Sequence, residues 1–217
     1  MTPRRERREQ EKRKKRPPQG RRGGGPRVGG GWLTAAVVAG VLVVGIFGLR
    51  ALGVFEPPPP PIDLGAISTP QPGEVVGTKQ ADEGAGHIDV GQRATYRTNP
   101  PTSGPHWGLP HAGWGVKDSA QDDERTVHNL EHGGIVISHN GLASEDVGKL
   151  KTLVRQLNGT QFPKVLLQPY PRLTDAKIAA AAWHWSLKVQ AYDEAQLLKF
   201  VRAHHGPSGE APEPNAQ

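Results

Sequence analysis

The stretch richest in chemistry is HNLEHGG, His128 to Gly134. Its first five residues spell His-x-x-Glu-His, the inverted zinc-peptidase spacing in which two histidines hold a metal and the glutamate activates water. Four of the nine histidines, His106, His111, His128 and His132, fall within 27 residues, and His139 follows just beyond. On a helix, side chains four apart share a face about 6 Å apart, near enough to hold one ion. On a strand the same pair would stand about 13 Å apart, too far to chelate. The local backbone therefore decides whether this spelling means anything.

The sequence points both ways. DDERTVHNLEH tolerates a helix and Gly133-Gly134 would stop one, yet Thr126-Val127 favours a strand and an apolar run, IVIS, follows at once. An inverted-motif peptidase needs its helix to continue past the second histidine and a third carboxylate from far downstream. Gly133-Gly134 forbids the continuation, and the available carboxylates are Glu194, at the mouth of a helix, and Glu210, in a tail expected to be disordered. The peptidase reading is accordingly weak.

A second constellation is YRTNPPTSGPHW, Tyr96 to Trp107. Pro100, Pro101 and Pro105 stiffen this loop and Ser103-Gly104 makes a turn, so His106 is aimed by a rigid support. The bland alternative has Trp107 anchoring the loop in the core while His106 hydrogen-bonds a backbone carbonyl. Ser103 as a nucleophile with His106 as its base would need an orienting acid and an oxyanion hole that the sequence does not reveal.

These residues suggest a metal site built from His106, His128 and His132, with Glu131 as a fourth ligand or a partner behind the ligands. Tyr96, Ser103 and Asn129 would shape the loops around it. Three imidazoles and a carboxylate suit Zn²⁺ or Cu²⁺. A Cu(I) site is disfavoured because there is no cysteine and one methionine, Met1. Three fixed ligands with an open fourth position would permit hydrolysis. The competing expectation, from a different class, is a non-catalytic envelope module binding a protein or wall polymer, in which the same His and Glu residues form a buried hydrogen-bond network.

Elements must position these residues. Ser144 can cap a helix whose apolar positions Val147, Leu150, Leu153, Val154 and Leu157 recur at three and four, ended by Asn158-Gly159. Ile135–Ser138 and Lys164–Gln168 read as short strands. From Trp183 to Gln190, apolar and polar residues alternate as on a strand with one wet face. Asp193 caps a last helix carrying Leu197, Leu198 and Val201, which Gly206 stops. The expected fold is α+β, a small mixed or antiparallel sheet with two helices, within residues 73–205. Residues 73–127 read mostly as structured loop, and 206–217 as a disordered tail.

The segments in front follow from composition. Residues 1–31 carry twelve Lys/Arg against three Glu, a local charge of +9, so the net +6 leaves −3 for the remainder. The basic balance belongs to this disordered tail, and nucleic acid is not an expected partner of the folded part. Trp32–Leu49 contains no charge, and with Ala51–Phe55 it is long enough for one transmembrane helix over residues 32–55. A cleaved signal peptide would need a shorter apolar stretch and a small-residue cleavage site. The basic flank places the N-terminus in the cytoplasm and the domain outside the cell membrane, with the lipid bilayer as a partner. Residues 56–72, with Pro57–Pro61, form a stiff spacer.

Taken together, NPPTSGPHW and VHNLEHGGIVIS resemble the paired motifs of an uncharacterised family of bacterial single-pass membrane proteins, catalogued as a domain of unknown function. The resemblance spans roughly residues 73–213. It matches at Tyr96, Pro101, Thr102, Ser103, Gly104, His106, His128, Asn129, Glu131, His132 and Gly133, with Ala182-Trp183 downstream. It implies a basic tail, a membrane helix and an extracytoplasmic domain, and supplies no activity. His111, His139 and His184 depart from the family pattern.

Overall fold

The computed structural model describes residues 60–63, 65 and 67–216. The expected tail, membrane helix and most of the proline spacer lie outside these residues; among those described, no helix is long and apolar enough to cross a membrane.

Three helices pack on a mixed sheet. The strands are β1 (Thr78–Lys79), β2 (His87–Ile88), β3 (His106–Trp107), β4 (Gly115–Val116), β5 (Ile135–His139), β6 (Val165–Pro169), β7 (Ile178–Ala182) and β8 (Trp185–Val189). The helices are α1 (Asp123–Glu131), α2 (Ser144–Asn158) and α3 (Glu194–His204), followed by a 3₁₀ turn at Gly206–Ser208. Six strands form one sheet in the order β1-β8-β7-β5-β6-β4, and β2 and β3 pair separately in parallel. Within the large sheet, β5 runs parallel to β6 through the α2 crossover, while β7 and β8 pair antiparallel.

Alternation along the strands divides the core into two layers. Ile135, Ile137, Val165, Leu167, Ala180 and Ala182 join Leu150, Leu153, Val154 and Leu157 of α2 and Leu197, Phe200 and Val201 of α3. The intervening residues Val136, Leu166 and Ala181 join Val127 and Leu130 of α1, with Trp183. Val127 and Leu130 are fully buried and contribute about 1.5–3 kcal/mol each. They seat α1, and with it the histidine motif, on its own side of the sheet.

Several expectations change in detail. There are three helices where two were expected, because DERTVHNLE is helical. Ile178–Ala182 is a central strand that the sequence reading does not contain. Its alanines are poor strand formers, and a run buried on both faces shows no alternation. The strand expected from Trp183 begins at Trp185, since Trp183-His184 is the turn between β7 and β8, with His184 at φ 61°. Ser144 opens α2 but caps nothing; the N-cap is Ala143. Asp193 does cap α3, accepting from the Gln196 N–H at 3.0 Å.

The end of the chain, expected to be disordered, folds back along the site. The N–H of Glu213 donates to the Glu131 carbonyl, that of Gly206 donates to the Gly133 carbonyl, and the Lys164 ammonium donates to the carbonyls of Pro214 and Ala216. Backbone pairing orders a segment whose polar composition gives no such signal. The core also begins before residue 73, for Ile67 is buried.

Candidate metal centre

α1 is short and almost wholly buried, which is unusual for a helix so rich in charge. The two acidic residues of its first turn are each paired. At the N-terminus, Glu124 accepts from the Arg93 guanidinium and the Ala94 N–H, both at 2.9 Å. Asp123 pairs with Arg172 at 2.7 Å and accepts from the Tyr170 hydroxyl. Both carboxylates also sit at the positive end of the helix dipole. His132 is the C-cap, and Gly133 at φ 75° turns the chain away.

Beside the seat formed by Val127 and Leu130, the face carrying His128, Glu131 and His132 meets the proline loop. The nitrogens His128 Nε2 and His132 Nε2 lie 3.0 Å apart. Helical backbone thus meets the condition on which chelation depended. His128 Nδ1 lies 2.6 Å from the Trp107 carbonyl. A carbonyl only accepts, so Nδ1 carries the proton and Nε2 keeps its lone pair, the tautomer that binds metals.

His111 Nδ1 likewise contacts the Ala112 carbonyl at 2.7 Å; His106 differs, since its Nδ1 faces the Gly104 carbonyl at 2.9 Å while its Nε2 faces a carboxylate. His106 Nε2 lies 2.9 Å from Glu131 Oε2, and His87 Nε2 lies 3.3 Å from that oxygen. His132 Nδ1 is buried with no hydrogen-bond partner among the described residues. Two ligand sets emerge among the described residues, His87 with His106 and His128, and His128 with Glu131 and His132. Within each set, one ligand atom per residue lies within 4.8 Å of the others.

Burial sets the electrostatics. It lowers the affinity of His128 and His132 for protons, His128 being opposed by its bond to Trp107, so both rings favour the neutral, ligating form. Burial alone would raise the Glu131 carboxyl. The hydrogen bonds and charges of His106 and His87 outweigh it and hold Glu131 below the usual glutamate range. A neutral imidazole pair beside an ionised carboxylate is a good donor set for a borderline dication.

The loop-shaping residues act through the backbone. The Tyr96 hydroxyl donates to the Pro105 carbonyl at 2.6 Å, and Ser103 Oγ accepts from the Glu83 N–H at 3.0 Å. Asn129 brackets Ala112, accepting from its N–H at 2.9 Å and donating to its carbonyl at 2.6 Å, which holds the His111 segment against α1. Trp107 does anchor the loop, buried and donating to the Gln92 carbonyl. Ser103 and His106 each have other partners, which leaves no serine–histidine pair. Neither distant carboxylate serves the peptidase scheme: Glu194 accepts from the Tyr192 hydroxyl, and Glu210 pairs with Lys79 and His184.

Sequence reasoning missed His87. One histidine in GHID offers no spacing cue, and it reaches the cluster because β2 registers His87 against His106. Glu213 was missed too; its carboxylate stands 3.6 Å from His132 Nε2.

These features define a small α+β domain with a buried histidine–carboxylate cluster between one short helix and a stiff loop. A protein family described as a protein of unknown function (DUF3105) matches residues 87–217, and the chain belongs to that family. Its span begins at His87 and takes in every member of both ligand sets. No curated protein and no solved structure matches the chain.

Proposed function

We propose that the domain binds a divalent transition ion, Zn²⁺ or Cu²⁺, through His128, His132 and Glu131, with His106 beside Glu131 as a further ligand or its hydrogen-bond support. The observation that carries this reading is the pair of imidazole Nε2 atoms 3.0 Å apart on one helical face. His128 is oriented by the Trp107 carbonyl in the manner of a ligating histidine. The purified full chain should carry about one ion per molecule by mass spectrometry, and His128→Ala and His132→Ala should lose it. A wild-type chain that takes up neither metal, nor gains thermal stability from either, ends the reading.

A second reading is favoured by the His106–Glu131 contact and the Asn129 bracket: a structural network inside an envelope module that binds a protein or polymer. It predicts indifference to metal in the same measurement. An ion with three protein ligands would retain a position for water, so metal-dependent hydrolysis is a lesser alternative within the first reading.

The cellular setting is likewise a proposal. The uncharged stretch 32–49 behind a basic tail supports a single membrane span with the domain outside the cytoplasm. A reporter fused to the C-terminus and active only in the cytoplasm should stay silent; activity there would reverse the assignment.

A further inference from the structure

We infer that the cluster has two overlapping metal positions filled one at a time, with His87 as the ligand that loads the ion from solvent. The inference rests on the metal-binding reading and deepens it. The two ligand sets share His128. With Nδ1 donating to the Trp107 carbonyl, His128 offers a single nitrogen, Nε2, and one lone pair binds one ion. Filling either set through His128 therefore empties the other.

The sets differ in access. The His87 side chain is 52% exposed, whereas those of His106, Glu131 and His132 are at most 8% exposed. The ring of His87 lies over Gly108, where a Cβ would make only ordinary van der Waals contact with it at 3.4 Å. An arriving ion meets His87 first, with His106 directly across the β2–β3 ladder. Glu131 Oε2 touches both of these rings and belongs to the inner set as well. The ion moves inward by exchanging His87 and His106 for Glu131 and His132 while His128 remains bound. Binding at the outer set displaces to solvent the Nε2 protons with which His87 and His106 face Glu131, and these are regained from solvent when the ion moves inward.

The test uses the full chain, Cu²⁺ and stopped-flow tryptophan fluorescence; Trp183 lies 6.3 Å, centroid to centroid, from the His106 ring and should be quenched as the ion enters. Wild type should saturate at one Cu²⁺ per chain. His87→Ala should keep that stoichiometry but load about tenfold more slowly, and release to a chelator should slow by a similar factor. His87→Gln, which keeps a polar side chain facing Glu131, serves if the alanine variant folds poorly. His132→Ala should retain a weakly held, fast-exchanging ion on the outer set. Two ions per chain at saturation, or an unchanged loading rate in the His87 variants, overturns this inference alone. No bound ion in wild type overturns the metal reading itself, and this inference with it.

Discussion

At the scale of single residues, the site depends on small polar side chains that never touch the proposed ion. Asn129 is fully buried, and its amide satisfies both backbone groups of Ala112. Asn129→Ala removes two buried hydrogen bonds, leaving the Ala112 N–H with only its long 3.5 Å contact to the Arg125 carbonyl and the Ala112 carbonyl with the His111 ring alone, a cost of about 1–3 kcal/mol. The expected result is a loss of about 1–2 kcal/mol in urea unfolding, with the His111 segment loosened; a change below about 0.5 kcal/mol would show that the bracket is not maintained in solution. HNLEHGG made Asn129 and Glu131 legible as members of one motif. It could not show that Asn129 faces a different loop from Glu131, because that follows from where residues 111–112 pass. His87 was illegible for the same reason, since its neighbour His106 is 19 positions away and reaches it through strand pairing alone.

At the scale of elements, Gly133 joins three structures. It ends α1, starts the approach to β5 and lets the returning chain pass. A Cβ there would meet Gly206 Cα at 2.9 Å and Pro214 Cα at 3.2 Å, and its φ of 75° already disfavours side chains. Gly133→Ala should cost about 1–3 kcal/mol and free residues 206–216, seen as faster amide exchange at Glu213. Unchanged exchange at Glu213 would mean that the packing of the tail does not require glycine. The amphipathic helices α2 and α3 were legible because one apolar stripe at 3.6-residue spacing suffices to bury them. α1 was ambiguous because it is buried nearly all round, with its polar residues paired across the interior. β7 escaped for the corresponding reason, a run of alanines enclosed on both faces.

At the scale of the whole molecule, buried histidines couple stability to pH. Burial, reinforced by the Lys164 charge, pushes His205 down to about 4 from its ordinary 6.5. The unfolded chain takes up this proton near pH 6.5, whereas the folded chain withholds it until about pH 4. Stability from this group is thus fully present above about 6.5 and is lost as pH falls toward about 4. His128, His132, His139 and His204 shift in the same direction through burial. Urea midpoints should fall across that window for the metal-free chain, and His205→Gln should make the fall shallower. A midpoint independent of pH between about 4 and 6.5 would contradict it.

By itself, the sequence determined what local periodicity and composition can encode: an α+β domain, the helices α2 and α3, strands at IVIS and VLLQ, and two motifs holding His106, His128, Glu131 and His132. Side-chain spacing and capping act over a few residues, so they survive in a linear reading. Only the tertiary structure decided that HNLE is helical, that the end of the chain covers it, and that His87 joins the cluster. Those outcomes depend on burial from several directions and on pairings between distant segments. No residue carries such information alone, because the contacts exist only once the sheet has brought both sides together.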